Sequence, residues 1–183
     1  MVRIFCKNTG TYKEFLEGTP LLDIAPAFEF DKPYDILAAK VNNVAEGLRF
    51  RVFHNRDVEF LDYRTYIGRS FYSRSLCFLL YKATRDLFPE SRMTIRRPIS
   101  KGYFCSVFKN DGSFLTEEDV EAIGVRMREL VIENIPFRRK ELQIEEAIKI
   151  FKESGDLDKV KLLETCGEVY ITCYSLGDVT DYY

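Results

Sequence analysis

The sequence predicts an α+β protein made of two domains, at residues 1–63 and 64–183. Three observations support this fold class. In the first third of the chain, short runs with apolar residues at alternate positions surround one short helical segment, as in a small sheet with one helix. A long helical pattern starts at Tyr72, and strand and helix patterns alternate after it. With 183 residues, of which 46% are hydrophobic, the chain is long enough to bury two small cores.

Strand patterns dominate the first domain. Residues 2–6 carry apolar side chains at every second position, and a turn leads to a second strand at residues 12–15. Thr19 followed by Pro20 is typical of a helix start, with Thr19 as the N-cap of a short helix. Three more strands are predicted at residues 36–42, 48–53 and 58–61.

The second domain is organised around a helix predicted over residues 72–88, which Pro89 ends. Its predicted apolar stripe comprises Leu76, Leu79, Leu80, Ala83 and Leu87. Arg74, Phe78 and Lys82 fall on a different side of this helix. Arg74 and Phe78 are four residues apart, so they lie one above the other on that side.

The remaining elements follow from the same patterns. Residues 64–71 are predicted to link the two domains, and residues 93–97 and 101–108 to form extended strands. Thr116 and Asp119 are spaced as in a capping box at the start of a helix. The predicted stripe of that helix comprises Val120, Ile123, Met127, Leu130 and Val131. A strand at 137–142, helical segments at 145–152 and 159–164 and a strand at 169–174 complete the prediction.

Composition excludes several classes of function. The net charge of −2 gives no global attraction for nucleic acid, so any such contact must be local. No apolar run approaches the roughly 20 residues of a membrane span, and the N-terminus lacks a signal-peptide core, so we expect a cytoplasmic protein with no membrane partner. A single histidine, His54, excludes a zinc site with two or three His ligands. The five scattered cysteines indicate reduced thiols, and no phosphate-binding glycine motif occurs.

Three basic groups are candidates for a nucleotide or nucleic-acid surface. They are Arg49, Arg51 and Arg56, then Arg96, Arg97 and Lys101, and then Arg138, Arg139 and Lys140. Tyr103 and Phe104 follow the second group and are suited to stack on a base. The alternative is ordinary solvated charge, balanced by the many Asp and Glu residues.

Segments of the chain resemble two known modules, in order. Residues 17–19, 22–25, 37–42 and 57–61 resemble the TGS domain, a ubiquitin-like β-grasp module. RSLCFLL at residues 74–80, followed by Ala83 and by LFP at residues 87–89, resembles the main helix of the threonyl-tRNA synthetase editing domain. The resemblance implies a TGS domain followed by an α+β threonyl/alanyl-tRNA synthetase editing-like domain, in which a long central helix packs on an antiparallel sheet.

The same resemblance implies that catalytic groups are missing. The family's two helix histidines align with Arg74 and Phe78, and a later cysteine aligns with Tyr183. Asp181 and Lys159 match residues that the family also has. A guanidinium cannot take a proton near pH 7 and a phenyl ring offers no proton acceptor, so we expect no hydrolysis and no bound metal.

A TGS domain joined to a degenerate editing-like domain is most similar to the N-terminal part of bacterial uridine-kinase-like proteins. This implies a non-catalytic binding or regulatory module, cut short at its C-terminus. The kinase domain that follows would be its partner and would use ATP and Mg²⁺, whereas the module itself needs no cofactor. Two alternatives stay open: a hydrolase that clears mischarged tRNA, and a pure interaction domain.

The expected ligand is a nucleotide or an RNA anion. The candidate ligand-binding residues are Arg74, Arg97, Lys101, Tyr103, Lys159 and Asp181. Arg74 is expected in the first turn of its helix, where unpaired N–H groups favour an anion. The alternative is a nearby carboxylate, such as Asp181, as the partner of Arg74.

Overall fold

The computed structural model describes residues 1–31, 33–99 and 102–182. The chain packs as two compact units, Met1–Leu76 and Cys77–Tyr183. Both units combine helices with strands, which confirms the α+β class. The assignment of separate domains to residues 1–63 and 64–183 stays a prediction. None of the helices in the described ranges is long and apolar enough to cross a bilayer.

The first unit is a β-grasp fold. Its elements are β1 (Val2–Cys6), β2 (Thr11–Phe15), β3 (Thr19–Pro20), α1 (Leu21–Ile24), β4 (Ile36–Val41), β5 (Val44–Glu46), β6 (Arg51–Val52) and β7 (Arg56–Asp62). Five strands form one sheet in the order β2-β1-β7-β4-β5, in which β1 is parallel to β7 and the other pairs are antiparallel. Alternation along β1 buries Ile4 and Cys6 against Leu21 and Ile24 of α1, each with 0% exposure.

Parts of the first unit differ from the prediction. Of the strand predicted at residues 48–53, only β6 forms, and β5 was not predicted. Asn42 and Asn43 have positive φ angles of 48° and 69°, which allow a tight turn between β4 and β5. Thr19 is not the N-cap of α1 that the sequence predicted; Pro20 occupies that position. The Thr19 hydroxyl donates to the Leu16 carbonyl at 2.7 Å and is not available to cap the helix.

The remaining elements are α2 (Tyr66–Leu87), β8 (Arg92–Ile99), β9 (Gly102–Phe108), α3 (Glu117–Glu133), β10 (Arg138–Gln143), α4 (Ile144–Glu153), α5 (Leu157–Thr165), β11 (Tyr170–Leu176) and β12 (Val179–Tyr182). Strands β10, β11 and β12 form an antiparallel sheet, and β8 and β9 form a separate antiparallel ribbon. One apolar core lies between this sheet and α4 and α5, around Phe151, Val160 and Cys173. A second joins α2 to α3 through Ala83 and Ile123. The sequence did not predict β12.

Helix α2 begins at Tyr66, so the predicted start near residue 73 is wrong and most of the predicted link is helical. The Thr65 hydroxyl accepts the N–H of Gly68 at 3.0 Å and caps the first turn. Gly68 allows a close approach there, because a Cβ at this position would lie 2.0 Å from the carbonyl oxygen of Asp62.

The predicted orientation of α2 is only partly correct. Ala83 is fully buried as expected, but Leu76 and Leu87 are 44% and 39% exposed. Phe78 and Lys82, which the sequence assigns to another side, are 2% and 6% exposed. The polar side turns inward because acidic residues neutralise the buried Lys82 ammonium, as described below.

The capping box of α3 is confirmed. The Thr116 hydroxyl accepts the Asp119 N–H at 3.2 Å, and the Asp119 carboxylate accepts the Thr116 N–H at 2.7 Å. The predicted stripe is too wide, since Ile123 is buried whereas Val120 and Val131 are 57% and 64% exposed. At about 100° per residue, both valines lie well to one side of Ile123 and mark the edge of the stripe.

Candidate functional site

Lys159 and Asp181 are the two predicted site residues that the structure brings together. Lys159 lies on α5 and Asp181 on β12, and their Nζ and Oδ1 atoms are 2.8 Å apart. The two side chains are 24% and 20% exposed, respectively. Among the described residues, the shielded Nζ atom has no hydrogen-bond partner of acceptable geometry, so this contact is an ion pair. Asp181 therefore has a cation beside it without help from Arg74.

A second carboxylate and two rings surround the Lys159 ammonium. It lies 3.6 Å from Asp156 and over the rings of Tyr81 and Phe151, with centroid distances of 4.8 and 5.2 Å. The Tyr81 hydroxyl donates to Asp156 Oδ2 at 3.1 Å, and Ser154 Oγ approaches the same oxygen at 3.0 Å. We call Tyr81, Asp156, Lys159 and Asp181 the polar cluster.

The electrostatics of the polar cluster favour hydrogen-bond donors as ligands. Burial, and then the neighbouring Asp156 carboxylate, raise the pKa of Tyr81, so this phenol stays protonated at neutral pH. Two carboxylates face one ammonium, which leaves one excess negative charge. A ligand hydroxyl or amino group that reaches Asp181 would find a carboxylate with acceptor capacity to spare.

One of the two α2 positions that the sequence resemblance matches to a histidine is part of the apolar core. Phe78 is 2% exposed, and its ring centroid lies 5.7 Å from that of Phe137.

Two cysteines of the second unit have raised pKa values. Burial raises the pKa of Cys77, with a further contribution from Cys105, and burial alone raises the pKa of Cys105. Neutral thiols are poor nucleophiles and poor metal ligands, so these cysteines do not replace a missing base.

The other predicted site residues lie on different elements. Arg74 is exposed on α2, in the third helical turn rather than the first. The backbone N–H groups of an interior turn bond within the helix, so the expected anion site at the helix N-terminus does not exist at Arg74. Tyr103 is 49% exposed on β9. Arg97 belongs to β8 without a described side chain, and Lys101 lies outside the described residues.

Sequence reasoning missed Tyr81 and Asp156. Tyr81 lies outside the predicted apolar stripe of α2 and carries no motif of its own. Asp156 gave a weak signal, because it follows Gly155, whose φ of +78° ends the preceding helical segment, and precedes the next one. Such a position predicts an N-cap, yet its side chain makes no capping bond and turns to Tyr81.

Metal binding by this unit has no support in the described part of the chain. No group of three or more His, Cys, Asp or Glu side chains there is placed to hold a metal ion. Tyr183, which takes the family's cysteine position, lies outside the described residues. The absence of zinc stays a prediction, which rests on the ligand chemistry of Arg74 and Phe78.

An open pocket of about 450 Å³ lies in the first unit. It is lined by Arg3, Tyr12, Asn42, Asn55, Arg56 and Asp57. Several of these side chains already have partners within the protein: the Arg3 guanidinium stacks 4.1 Å above the Tyr12 ring, and both asparagines accept hydrogen bonds from backbone N–H groups. We therefore assign the candidate site to the polar cluster, where the matched residues meet.

Comparison with known proteins gives one consistent result. A threonine–tRNA ligase of Desulforamulus reducens is 31% identical over 182 residues, which cover 99% of this chain and 28% of the relative. Those of Methylococcus capsulatus and Clostridium botulinum are both 32% identical, over 94% and 99% of the chain. The chain is similar to the N-terminal region of threonyl-tRNA synthetases. No protein-family model matches it.

The chain spans just over a quarter of the length of these threonyl-tRNA synthetases. The predicted resemblance to the synthetase is thus confirmed at this level, and the uridine-kinase relationship stays a prediction. Lys159 and Asp181, which the sequence resemblance matches to residues of the family, form an ion pair at 2.8 Å. Phe78, at a position that the resemblance matches to a histidine, is 2% exposed.

Proposed function

We propose that this chain is a non-hydrolytic binding domain of the threonyl-tRNA synthetase type, which holds the 3′-terminal nucleotide of an RNA, with or without its aminoacyl group, at the polar cluster. One observation carries the proposal. The Lys159–Asp181 ion pair is assembled at 2.8 Å beside Tyr81, whereas the helix position that would supply a base holds the buried Phe78.

The chemistry of the pair suits binding. Lys159 Nζ lies 2.8 Å from Asp181 Oδ1 and holds this carboxylate in place, where it can accept a hydrogen bond from a ribose hydroxyl or from the amino group of an aminoacyl ester. The Asp156 carboxylate accepts the hydrogen bond of the Tyr81 hydroxyl and lies 3.6 Å from the Lys159 ammonium. The ligand would thus meet a preorganised carboxylate.

Hydrolysis is the competing function, since the relatives are synthetases and the matched residues of the resemblance belong to an editing hydrolase. Ester hydrolysis needs a group that activates water near pH 7 and donors for the oxyanion. The polar cluster holds a protonated phenol, an ammonium and two carboxylates paired with cations or hydroxyls. None of these has the proton affinity of a neutral imidazole, which favours binding without turnover.

The protein context is also part of the proposal. The sequence resemblance places such a module before an ATP- and Mg²⁺-dependent uridine-kinase-like domain in the cytoplasm, where it would act as a binding or regulatory module. The relatives found are synthetases, so this part rests on the resemblance alone. A pure interaction domain is the outcome if the polar cluster binds no ligand.

The test uses the 183-residue chain and three probes: AMP, deacylated tRNA, and the amide seryl-3′-amino-3′-deoxyadenosine, which mimics an aminoacylated RNA end. Isothermal titration calorimetry should detect binding of at least one probe. Asp181→Asn removes the carboxylate that accepts the hydrogen bond of the ligand, and Lys159→Met removes the ammonium that holds this carboxylate in place, so each should weaken binding at least about tenfold.

Lys152→Met is the matched control, since Lys152 also pairs with a carboxylate, Glu164 at 3.6 Å, but is 56% exposed. It should bind like the wild type. Equal affinity of all variants, or no binding by the wild type, would reject the polar cluster as a ligand site. Release of serine from seryl-tRNA that is lost in Asp181→Asn would show hydrolysis instead.

A further inference from the structure

The β8–β9 ribbon carries an irregularity with a defined register. Ile95 pairs with Cys105, and Pro98 pairs with Tyr103. Two residues of β8 therefore face a single residue of β9, which is a β-bulge. Arg96 and Arg97 occupy the bulge, and Phe104 is the residue opposite them. Bulges of this kind redirect side chains and are common next to binding sites.

Positive charge is concentrated in this ribbon. Residues 92–108 include four basic and no acidic residues, and the rest of the chain has 23 basic against 29 acidic residues. Arg92, at the base of the ribbon, pairs with Asp158. Arg96, at the bulge, is exposed. The bulge thus presents a local positive field on a chain whose net charge is negative.

Aromatic side chains accompany this charge. Tyr103 and Phe104 are each 49% exposed, and successive strand residues point to opposite faces, so these two rings lie on opposite faces of the ribbon. Val107, further along β9, is by contrast buried, with 9% exposure. A single exposed phenylalanine is ordinary, but one directly opposite two arginines combines a stacking surface with phosphate-binding charge.

We propose that the β8–β9 ribbon binds a single-stranded nucleic-acid segment. A base stacks on Phe104, and the exposed Arg96 of the bulge supplies charge that attracts the flanking phosphates. Stacking of this kind reads no base sequence, so binding is sequence-tolerant and sensitive to salt. This inference goes beyond the proposed function, because it uses residues outside the polar cluster and requires neither a 3′ end nor an aminoacyl group.

The test measures fluorescence anisotropy of labelled oligonucleotides of about ten units, a length within the range that one such surface covers. Oligo(U) RNA and oligo(dT) DNA distinguish the two sources of a single strand, and an RNA duplex of the same length tests the need for unstacked bases. The chain should bind at least one single strand at least about fivefold more tightly than the duplex, because only the single strand exposes base faces.

Variants separate stacking from charge. Phe104→Ala and Phe104→Leu should both weaken binding at least about fivefold, because leucine restores apolar volume but no ring. Arg96→Gln should weaken binding and flatten its dependence on salt, because one phosphate contact fewer releases fewer counterions. Phe53→Ala, at a ring that is 56% exposed in the first unit, and Arg128→Gln, at an exposed arginine of α3, should behave like the wild type.

Circular dichroism must first show that each variant is folded. Wild-type affinity of Phe104→Ala, equal losses in Phe104→Ala and Phe53→Ala, or no binding of either single strand would overturn the inference. The position of the label separates this surface from the polar cluster: an oligonucleotide whose 3′ hydroxyl is blocked by the fluorophore offers no free 3′ end, and it should bind as tightly as one labelled at its 5′ end. This inference and the proposed function can therefore fail separately.

Discussion

The ion network around Lys82 allows a quantitative test of how the second unit is stabilised. The buried ammonium contacts Asp86, one turn away on α2, and Asp178 at 2.6 Å. Asp86 is shared with Arg126 of α3, whose Nε lies 2.9 Å from Oδ2. Burial by itself would lower the pKa of Lys82, but hydrogen bonds to Asp178 and Asp86 raise it above its ordinary value. The residue is therefore charged at pH 7.

Two substitutions in this network should have very different effects on the free energy of unfolding. Asp86→Asn removes a carboxylate that serves two cations, and leaves Lys82 with Asp178, whose side chain is 82% exposed. The loss of charge-assisted bonds around a buried ammonium should cost about 2–4 kcal/mol. Lys82→Met removes the buried charge itself, while Asp86 keeps Arg126, so it should cost less than about 1 kcal/mol.

Urea unfolding followed by far-UV circular dichroism measures both values, since the chain has no tryptophan to report by fluorescence. Lys152→Met serves as a surface control near zero. The two effects differ because of the charges that each substitution leaves behind. Asp86→Asn leaves the buried Lys82 ammonium with too little negative charge around it, whereas Lys82→Met leaves Asp178 in solvent and Asp86 paired with Arg126. A Lys82→Met protein that loses as much stability as Asp86→Asn would refute this reasoning.

The pH dependence gives an independent check of the same network. The hydrogen bond from Lys82 lowers the pKa of Asp178 below its ordinary value of 3.8. A carboxyl group with a lowered folded-state pKa stabilises the fold above its unfolded pKa, and this stability is lost as the pH falls. The wild type should therefore lose more stability than Lys82→Met between about pH 5 and pH 3. Parallel curves for the two proteins would contradict the ion pair.

Three further predictions concern local structure and activity. Thr116→Ala removes the hydroxyl that accepts the Asp119 N–H and should lower the free energy of unfolding by about 1 kcal/mol, measured by urea denaturation. Thr165→Ala is the control, because Thr165 lies at the C-terminal end of α5 and caps no helix N-terminus. Elemental analysis of protein purified without added metal should find no stoichiometric zinc, and zinc held by Cys77 and Cys105 would prove this wrong. The chain should not phosphorylate uridine with ATP, because its sequence has no phosphate-binding glycine motif, and should not release serine from seryl-tRNA, because Phe78 is a core side chain. Turnover in either assay above the blank would contradict this.

Local physics accounts for what could be predicted from the sequence. Alternating apolar residues identified β1, and the Thr116–Asp119 spacing identified the start of α3, because strand periodicity and capping bonds involve neighbours in the chain. The family resemblance implied that Arg74 and Phe78 stand at histidine positions, and the missing proton acceptor then follows from these two side chains alone.

The start and orientation of α2 were beyond the sequence pattern. Tyr66–Leu87 begins early because Thr65 caps it and Gly68 permits close packing on the preceding strand. Periodicity could not show that Lys82 would turn inward, because its burial depends on Asp178, which is distant in sequence. Long-range charge compensation outweighed the apolar pattern at that position.

The candidate sites show the same division between chain and fold. The sequence by itself determined which chemistry is available: one histidine, a lysine and an aspartate matching the synthetase pattern, and a basic segment with two aromatic residues. Only the tertiary structure decided that Lys159 and Asp181 meet, that Tyr81 and Asp156 join them, and that two arginines lie opposite Phe104. The reason is physical: side-chain chemistry is carried by each residue, whereas distances across a sheet, a bulge or a helix pair are set by packing and strand register among residues far apart in the chain.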